Sequence, residues 1–193
     1  MKRDLYSTKP LTSSFLSCEK DTEIILRKLF IETRPYSDIL KRLLVIQQKD
    51  CLDLENEDYA ARVKDIGLAY LRNEGYIILE PRIEMEEHEK VKSYIIISFD
   101  NFIPNATNPE FRDCQVNFDI ICHTKHWDLG DYQMRPLKIA GYIDGILNQS
   151  RLTGIGTFQF MGCSELILNQ DLAGYTLSYW ATHGGDDQIE DVE

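Results

Sequence analysis

The residues best suited to chemistry lie at the end of a predicted strand, in the run Cys122-His-Thr-Lys-His126. Zinc takes four nitrogen or sulfur ligands in a tetrahedron. Three candidate ligands lie in this run and a fourth is available elsewhere: Cys122, His123 and His126, with Cys114 or Cys163. Neighbouring residues of a strand point to opposite faces, so the side chains of Cys122 and His123 diverge. We therefore expect core thiols and exposed histidines here, with no metal and no cofactor.

Other catalytic arrangements lack their defining residues. A Cys122–His123 nucleophile pair fails on the same opposite-face geometry, and the sequence has no Gly-x-Ser-x-Gly elbow. Thr153-Gly-Ile-Gly156 lacks the third glycine and the lysine of a phosphate loop. The acidic run at residues 84–89 lacks the ordered ligands of a calcium loop. The sequence favours a protein that is not an enzyme, and a small metal- or thiol-dependent enzyme is the alternative.

The overall charge argues against a nucleic-acid binder. The 193 residues carry a formal net charge of −11, whereas proteins that neutralise phosphates are basic. The five cysteines form no CxxC pair, and no apolar leader or membrane-spanning stretch is present. We expect free thiols, synthesis in a reducing cytoplasm and no membrane association. A third hypothesis is a binding module that recruits a basic partner through an acidic C-terminal tail.

The most regular stretch is a predicted strand at residues 111–123. Its apolar residues alternate, as in a strand that buries one face. They are Cys114, Val116, Phe118, Ile120 and Cys122. Gln115, Asn117 and Asp119 fall on the other face, which we expect to meet water or a partner.

A helix follows, with Pro136 in its first turn. Its apolar residues recur at three- and four-residue steps and predict one buried stripe. They are Ile139, Ala140, Ile143, Ile146 and Leu147. Gly141 and Gly145 lower the helix propensity. We interpret them as points of close packing on the sheet, or alternatively on a neighbouring subunit.

Two further strands, at residues 157–169 and 175–183, are predicted to form an antiparallel hairpin. Gly162 marks a bulge or bend in the first of them. The second is rich in Tyr, Thr and Trp, and its aromatic residues favour core or subunit contacts. We predict that this last strand is an edge at which a neighbouring subunit pairs.

The sequence pattern of the N-terminal half predicts three helices. Asp21 or Thr22 caps the first helix, Pro35 ends it, and Ser37 is a candidate cap for the second. The third covers residues 59–73, with an internal glycine that weakens it.

Beyond the helices, the sequence predicts a hairpin and a loop. Strands at residues 76–83 and 91–99 are joined by a charged tip at residues 84–90. Residues 101–110 contain two prolines and three asparagines and are predicted to form a long connection.

Together these elements predict an α+β fold. It has a mixed, largely antiparallel β-sheet with helices packed on one face, an N-terminal helical region, and an extended hairpin and loop. The predicted organisation is an N-terminal arm at residues 1–20, a single α+β domain at residues 21–183 (helical 21–73, sheet-and-helix 76–183) and an acidic tail at residues 184–193.

Over roughly residues 76–183, the chain resembles the tail-terminator (tail-completion) proteins of tailed bacteriophages. The likeness lies in the order of the elements and in five runs. These are Asn108-Pro-Glu-Phe-Arg-Asp113, Phe118-Asp-Ile-Ile-Cys-His123, Met134-Arg-Pro-Leu-Lys-Ile-Ala-Gly-Tyr-Ile-Asp144, Leu152-Thr-Gly-Ile-Gly156 and Gly174-Tyr-Thr-Leu-Ser-Tyr179. The N-terminal helices are longer than in the plainest members of that family.

The resemblance implies a virion subunit that forms a homohexameric ring, caps the tail tube and joins it to the head. Its implied partners are its own copies, the tail tube protein and a neck or head-completion protein, with DNA passing the lumen unbound. Assembly would take place in the host cytoplasm. A head-closure or neck adaptor protein of the same connector is the alternative. The predicted interface residues lie in the hairpin tip, the loop and the last strand: Glu84, Glu86, Glu87, His88, Lys90, Phe102, Asn105, Asn108, Tyr175, Tyr179 and Trp180.

Overall fold

The computed structural model describes residues 14–79, 91–107, 111–152 and 156–183, and these form an α+β fold. The helices are α1 (Ser14–Arg27, continued by a π-helical turn at Lys28–Glu32), α2 (Tyr36–Val45), α3 (Glu57–Lys64), α4 (Leu68–Asn73) and α5 (Arg135–Leu147). The strands are β1 (Ile77–Ile78), β2 (Ser93–Pro104), β3 (Arg112–His123), β4 (Asp128–Gly130), β5 (Gln133–Met134), β6 (Gln159–Ile167) and β7 (Leu172–His183).

Strand β3 is confirmed and lies in the centre of the sheet. The five-stranded sheet has the order β1-β2-β3-β7-β6, and β3 pairs antiparallel with both β2 and β7. The five residues of its predicted apolar face are all buried. They join the helices in one core, so the sheet has a helix-covered face and an opposite face that carries Gln115, Asn117 and Asp119.

Helix α5 is also confirmed, with Pro136 in its first turn and the predicted stripe buried. The interpretation of its glycines as points of close packing on the sheet is wrong. Gly141 and Gly145 are exposed, and a Cβ atom added at either would meet nothing within 4 Å. Because the stripe of five apolar residues already provides the contact with the sheet, these two positions fall on the far side of the helix.

Alanine at Gly141 and at Gly145 is therefore expected to raise the free energy of unfolding by about 1 kcal/mol per site, because glycine costs that much helix propensity. Urea denaturation of the two single variants and of the pair measures the change. A loss of stability would mean that the added methyl groups meet an obstacle on this face. Normal stability combined with weaker self-association would support the alternative, contact with a neighbouring subunit.

The C-terminal hairpin is confirmed, but the predicted edge is wrong. Strands β6 and β7 pair antiparallel, and the register shifts between Phe160 and Gly162, where a bulge was predicted. Strand β7 lies between β3 and β6, so β6 and not β7 is the edge strand at this end of the sheet. The prediction failed because β7 pairs on its second side with β3, a strand about fifty residues earlier that local sequence does not indicate.

Three local predictions for the helices need correction. Helix α1 begins at Ser14, before the predicted cap, so only residues 1–13 of the proposed arm lie outside the described residues. Ser37 is not a cap, because it lies within α2 and its backbone N–H donates to the Thr33 carbonyl oxygen. The predicted third helix is divided into α3 and α4, with Gly67 at the N-cap of the second.

The predicted hairpin between residues 76–83 and 91–99 is wrong. Strand β1 has two residues and pairs parallel with β2, through Ile77 with Ile95 and Ile78 with Ile96. Parallel strands cannot be the two arms of a hairpin, because the chain must cross over between them. The proposed tip at residues 84–90 lies outside the described residues, as does the C-terminal tail at residues 184–193.

The predicted loop at residues 101–110 is partly strand. Strand β2 continues to Pro104, pairing with β3 after a register shift between Asp100 and Ile103. The irregularity includes Asn101, whose φ is +52°. At such an irregularity one strand carries extra unpaired residues, and pairing with the neighbouring strand resumes beyond them.

Candidate interaction surfaces

The side chains of the candidate zinc ligands Cys122, His123 and His126 do not point towards one common site. Cys122 is fully buried on the helix-covered face, and burial raises the pKa of its thiol to about 12. His123 lies on the opposite face, in register with Leu172, and its Nδ1 accepts from the Lys125 backbone N–H at 3.1 Å. His126 is half-buried, and burial together with the nearby Arg135 lowers its pKa. Among the described residues, no group of three or more His, Cys, Asp or Glu side chains is arranged to hold a metal ion.

Two expectations for these residues are wrong. His123 was predicted to be exposed but is only 5% exposed. A second, smaller apolar cluster on its face of the sheet accounts for part of the difference, since it includes Tyr94, Ile121 and Leu172. Cys163 was predicted to be a core thiol, but it is exposed because β6 is the edge strand, whereas Cys51, Cys114 and Cys122 are buried.

We expect iodoacetamide at about pH 8 to modify Cys163 in the native protein and to leave Cys122 unmodified until unfolding, because the thiolate is the reactive form and burial suppresses it at Cys122. Peptide mass spectrometry after timed quenching measures both rates. The same reaction in urea is the control, since the two thiols should then react alike. Rapid native labelling of Cys122 would contradict the structure and favour a thiol enzyme.

The sheet face opposite the helices carries a continuous polar array. The Thr176 hydroxyl donates to Asp119 Oδ1 at 2.6 Å, and the Ser178 hydroxyl donates to Asn117 Oδ1 at 2.7 Å. At the end of the array, Thr182 donates to Asp113 Oδ1 at 2.7 Å. Cross-strand bonds of this kind fix rotamers and the register of β3 against β7. The part of this face between Asp113 and Asp119 is therefore a hydrogen-bonded surface of polar and acidic groups, beside the apolar cluster at its other end.

The edge strand β6 is exposed along most of its length. Its large apolar side chains are solvent-accessible on both faces of the sheet: Phe160 46%, Met161 52% and Ile167 67%, followed by Leu168 at 41%. Natural sheets protect such edges with lysine, proline, bulges or a covering element. Strand β6 has a bulge, but its only charged residue is Glu165. This edge is therefore largely apolar and solvent-accessible.

The family of the chain follows from its sequence. A family model named YomW matches residues 37–180, from the start of α2 nearly to the end of β7. The chain belongs to the YomW family. This family is phage-derived and of the Bacillus prophage type. Comparison with curated proteins found no match, and neither did comparison with solved structures.

In this YomW-family chain, the predicted interface residues differ in whether the structure describes them and in how exposed they are. Glu84, Glu86, Glu87, His88, Lys90 and Asn108 lie outside the described residues. Phe102, Asn105, Tyr175 and Trp180 are half-buried. Tyr179 is fully buried, as expected for a core contact, which is the alternative to a subunit contact. It packs edge-on against Phe118 and its hydroxyl donates to Asp144 Oδ1 at 2.9 Å.

Sequence reasoning missed one prominent surface feature of the YomW-family chain. Strands β4 and β5 form a small hairpin whose tip carries Tyr132, and this residue is fully exposed (relative exposure 104%). Turn-forming residues at Leu129-Gly-Asp131 were the available signal. Sequence alone did not reveal that the next residue projects into solvent.

In the described part of the chain, no helix is long and apolar enough to cross a membrane.

Proposed function

We propose that this YomW-family protein is a structural tail-terminator subunit and not an enzyme. In this proposal, copies assemble into a ring that caps the tail tube and joins it to the head or neck. Phage origin comes from the family, and the terminator role is supported by the order of elements in the second half of the chain. The function is to present surfaces to neighbouring proteins.

The observation that carries the proposal is the uncovered edge strand β6. No strand among the described residues pairs with its outer side, and its apolar side chains reach 67% exposure at Ile167. A long apolar edge of this kind templates pairing with another chain. A ring subunit needs at least one such surface, because its neighbour approaches a different face of each copy.

The charge of the protein is compatible with a lumen that passes DNA. A net charge of −11 repels phosphates and disfavours nonspecific binding. The polar array on the sheet face opposite the helices adds half-buried carboxylates at Asp113 and Asp119.

The direct test is the assembly state of the purified protein, by light scattering and negative-stain imaging. Rings are expected for the wild type. Ile167→Lys places a charge on the β6 edge and should weaken assembly by at least about tenfold, since a desolvated unpaired charge costs more than 1.4 kcal/mol. Leu54→Lys is the matched control, because Leu54 is 69% exposed in the loop between α2 and α3. Equal assembly of both variants would contradict the role of β6.

The position in the virion is tested separately. A prophage that lacks this gene is expected to produce filled heads and tails that do not join, visible by electron microscopy. Immunogold label at the upper end of free tails would support the terminator. Label confined to the heads would instead identify a head-closure or neck adaptor protein. Complete, joined particles without the protein would refute both.

A further inference from the structure

The β4–β5 hairpin holds its exposed tyrosine in a costly backbone conformation. Three successive residues have positive φ: Gly130 at +84°, Asp131 at +48° and Tyr132 at +60°. Tight hairpin turns of this hand favour Asn-Gly or Asp-Gly, because a bulky side chain rarely adopts positive φ. Here the glycine position of such a pair is occupied by tyrosine. Conformations of this kind persist where the surroundings impose them, and they cluster at functional sites.

The base of the hairpin is fixed to the body of the protein. Lys49 Nζ donates to Asp128 Oδ2 at 2.7 Å, and the Gly130 N–H donates to Asp128 Oδ1 at 2.9 Å. The Arg135 backbone N–H, at the start of α5, donates to the Trp127 carbonyl at 2.8 Å. These bonds hold the base of the hairpin against the segment after α2 and the start of α5, and an ordered base reduces the entropy lost on binding. Tyrosine is also among the residues that dominate binding energy at interfaces.

A matching cleft lies on a different part of the surface. It has a volume of about 850 Å³ and lies between α1, α4 and β2. Its apolar lining comes from Leu26, Leu68, Leu79 and Ile97, and its rim carries Glu23 and Arg72. The cleft shares no residue with the hairpin, so the two surfaces can bind each other in successive copies.

We propose that the Asp131–Tyr132 turn of one copy docks into this cleft on the next copy. The tyrosine ring would lie against the apolar lining, and the volume leaves room for the turn backbone on either side of it. The Asp131 carboxylate adjoining the ring would meet the exposed Arg72 guanidinium at the rim, which gives the contact opposite charges. The contact is heterologous, so it propagates from copy to copy and closes into a ring if the rotation permits. The closure of this contact into a ring rests on the proposed function.

The first test is Tyr132→Gly, which creates the Asp-Gly pair that this turn prefers. The variant is expected to have the same circular dichroism as the wild type, an equal or higher melting temperature, and self-association weakened by at least about tenfold. Tyr132→Phe keeps the ring and should associate within about threefold of the wild type. Loss of association together with retained stability separates docking from a role in folding.

The second test uses two complementary variants. Arg72→Glu removes the cleft cation, and this variant alone should be as weakly associated as Tyr132→Gly. In an equimolar mixture, the Tyr132→Gly copies still offer an intact cleft and the Arg72→Glu copies an intact hairpin. Analytical ultracentrifugation of the mixture at about 200 µM should then show heterodimers without larger rings.

Three outcomes overturn the proposal. The first is a wild type that stays monomeric at about 200 µM, where an interface of micromolar affinity would be saturated. The others are unchanged association of Tyr132→Gly and the absence of a heterodimer in the mixture. Failure of this inference is distinguishable from failure of the proposed function. Rings that still form with Tyr132→Gly reject the docking contact and leave the ring subunit standing. Association that depends on Tyr132 but yields only open chains, with joined phage particles in the gene's absence, rejects the terminator role and leaves the contact standing.

Discussion

Replacing Arg135 with methionine is expected to lower the free energy of unfolding by about 3–5 kcal/mol, because it leaves several buried carbonyl groups without donors at about 1–3 kcal/mol each. Arg135 is fully buried. Its Nη1 donates to the carbonyl oxygens of Leu43 at 2.6 Å and Ile46 at 2.8 Å, and its Nη2 donates to that of Gln48 at 2.8 Å. Its Nε donates to the His126 carbonyl at 2.8 Å.

These bonds explain how a buried cation is tolerated without a carboxylate in the bonded set. Two of the acceptors, Leu43 and Ile46, lie at the C-terminal end of α2, where carbonyls lack intrahelical partners and carry partial negative charge. The guanidinium therefore caps α2 from the start of α5 and ties the N-terminal helices to the sheet domain. The planar fork of arginine suits several fixed acceptors at once, which an ammonium cannot reproduce.

Urea denaturation measures the loss. Arg151→Met is the matched control, because Arg151 is exposed and its change should stay within about 0.5 kcal/mol. Arg135→Lys should be intermediate, since it keeps the charge and loses the fork. An Arg135→Met protein as stable as the wild type would show that the carbonyls find other donors.

Replacing Gly174 with alanine is expected to have the largest effect of all, a loss of more than about 4 kcal/mol, enough to prevent recovery of folded protein. A Cβ atom there would lie 1.7 Å from the Ile120 carbonyl oxygen and 3.2 Å from the Ile121 Cα. Gly174 is in β7, paired with Ile121 on one side and Leu166 on the other. The backbone must move to admit the methyl group, and movement in a central strand disturbs the pairing on both sides.

Gly162→Ala is the matched control for this substitution. Gly162 is also a strand glycine, but a Cβ atom there meets nothing within 4 Å, so the variant should fold normally. Soluble yield and circular dichroism after parallel expression compare the two. A soluble Gly174→Ala protein with native-like β-sheet signal would mean that the approach of β3 to β7 is less close than described.

The sequence by itself determined the elements that a local residue pattern identifies, such as the period of a strand or of a helix. The alternation from Cys114 to Cys122 was sufficient to identify β3 and its buried face, because a strand repeats every two residues. The spacing from Ile139 to Leu147 identified α5 in the same way. The β6–β7 hairpin followed from two strands close together in the chain, with Gly162 at the bulge. Membership of an α+β class needed no more than this order of elements.

Only the tertiary structure decided which surfaces of these elements are exposed. The last strand reads as an edge from sequence, but pairing with β3 places it inside the sheet and exposes β6 instead. Cys163, predicted to be a core thiol, is exposed because it lies on β6, whereas Tyr179 on β7 is buried. Arg135 and Gly174 gave no local signal. Arg135 depends on carbonyls about ninety residues away in sequence, and Gly174 depends on the backbone of β3, from which β4, β5, α5 and β6 separate it in the chain. Burial, strain and edge exposure depend on long-range pairing, and local periodicity does not encode that pairing.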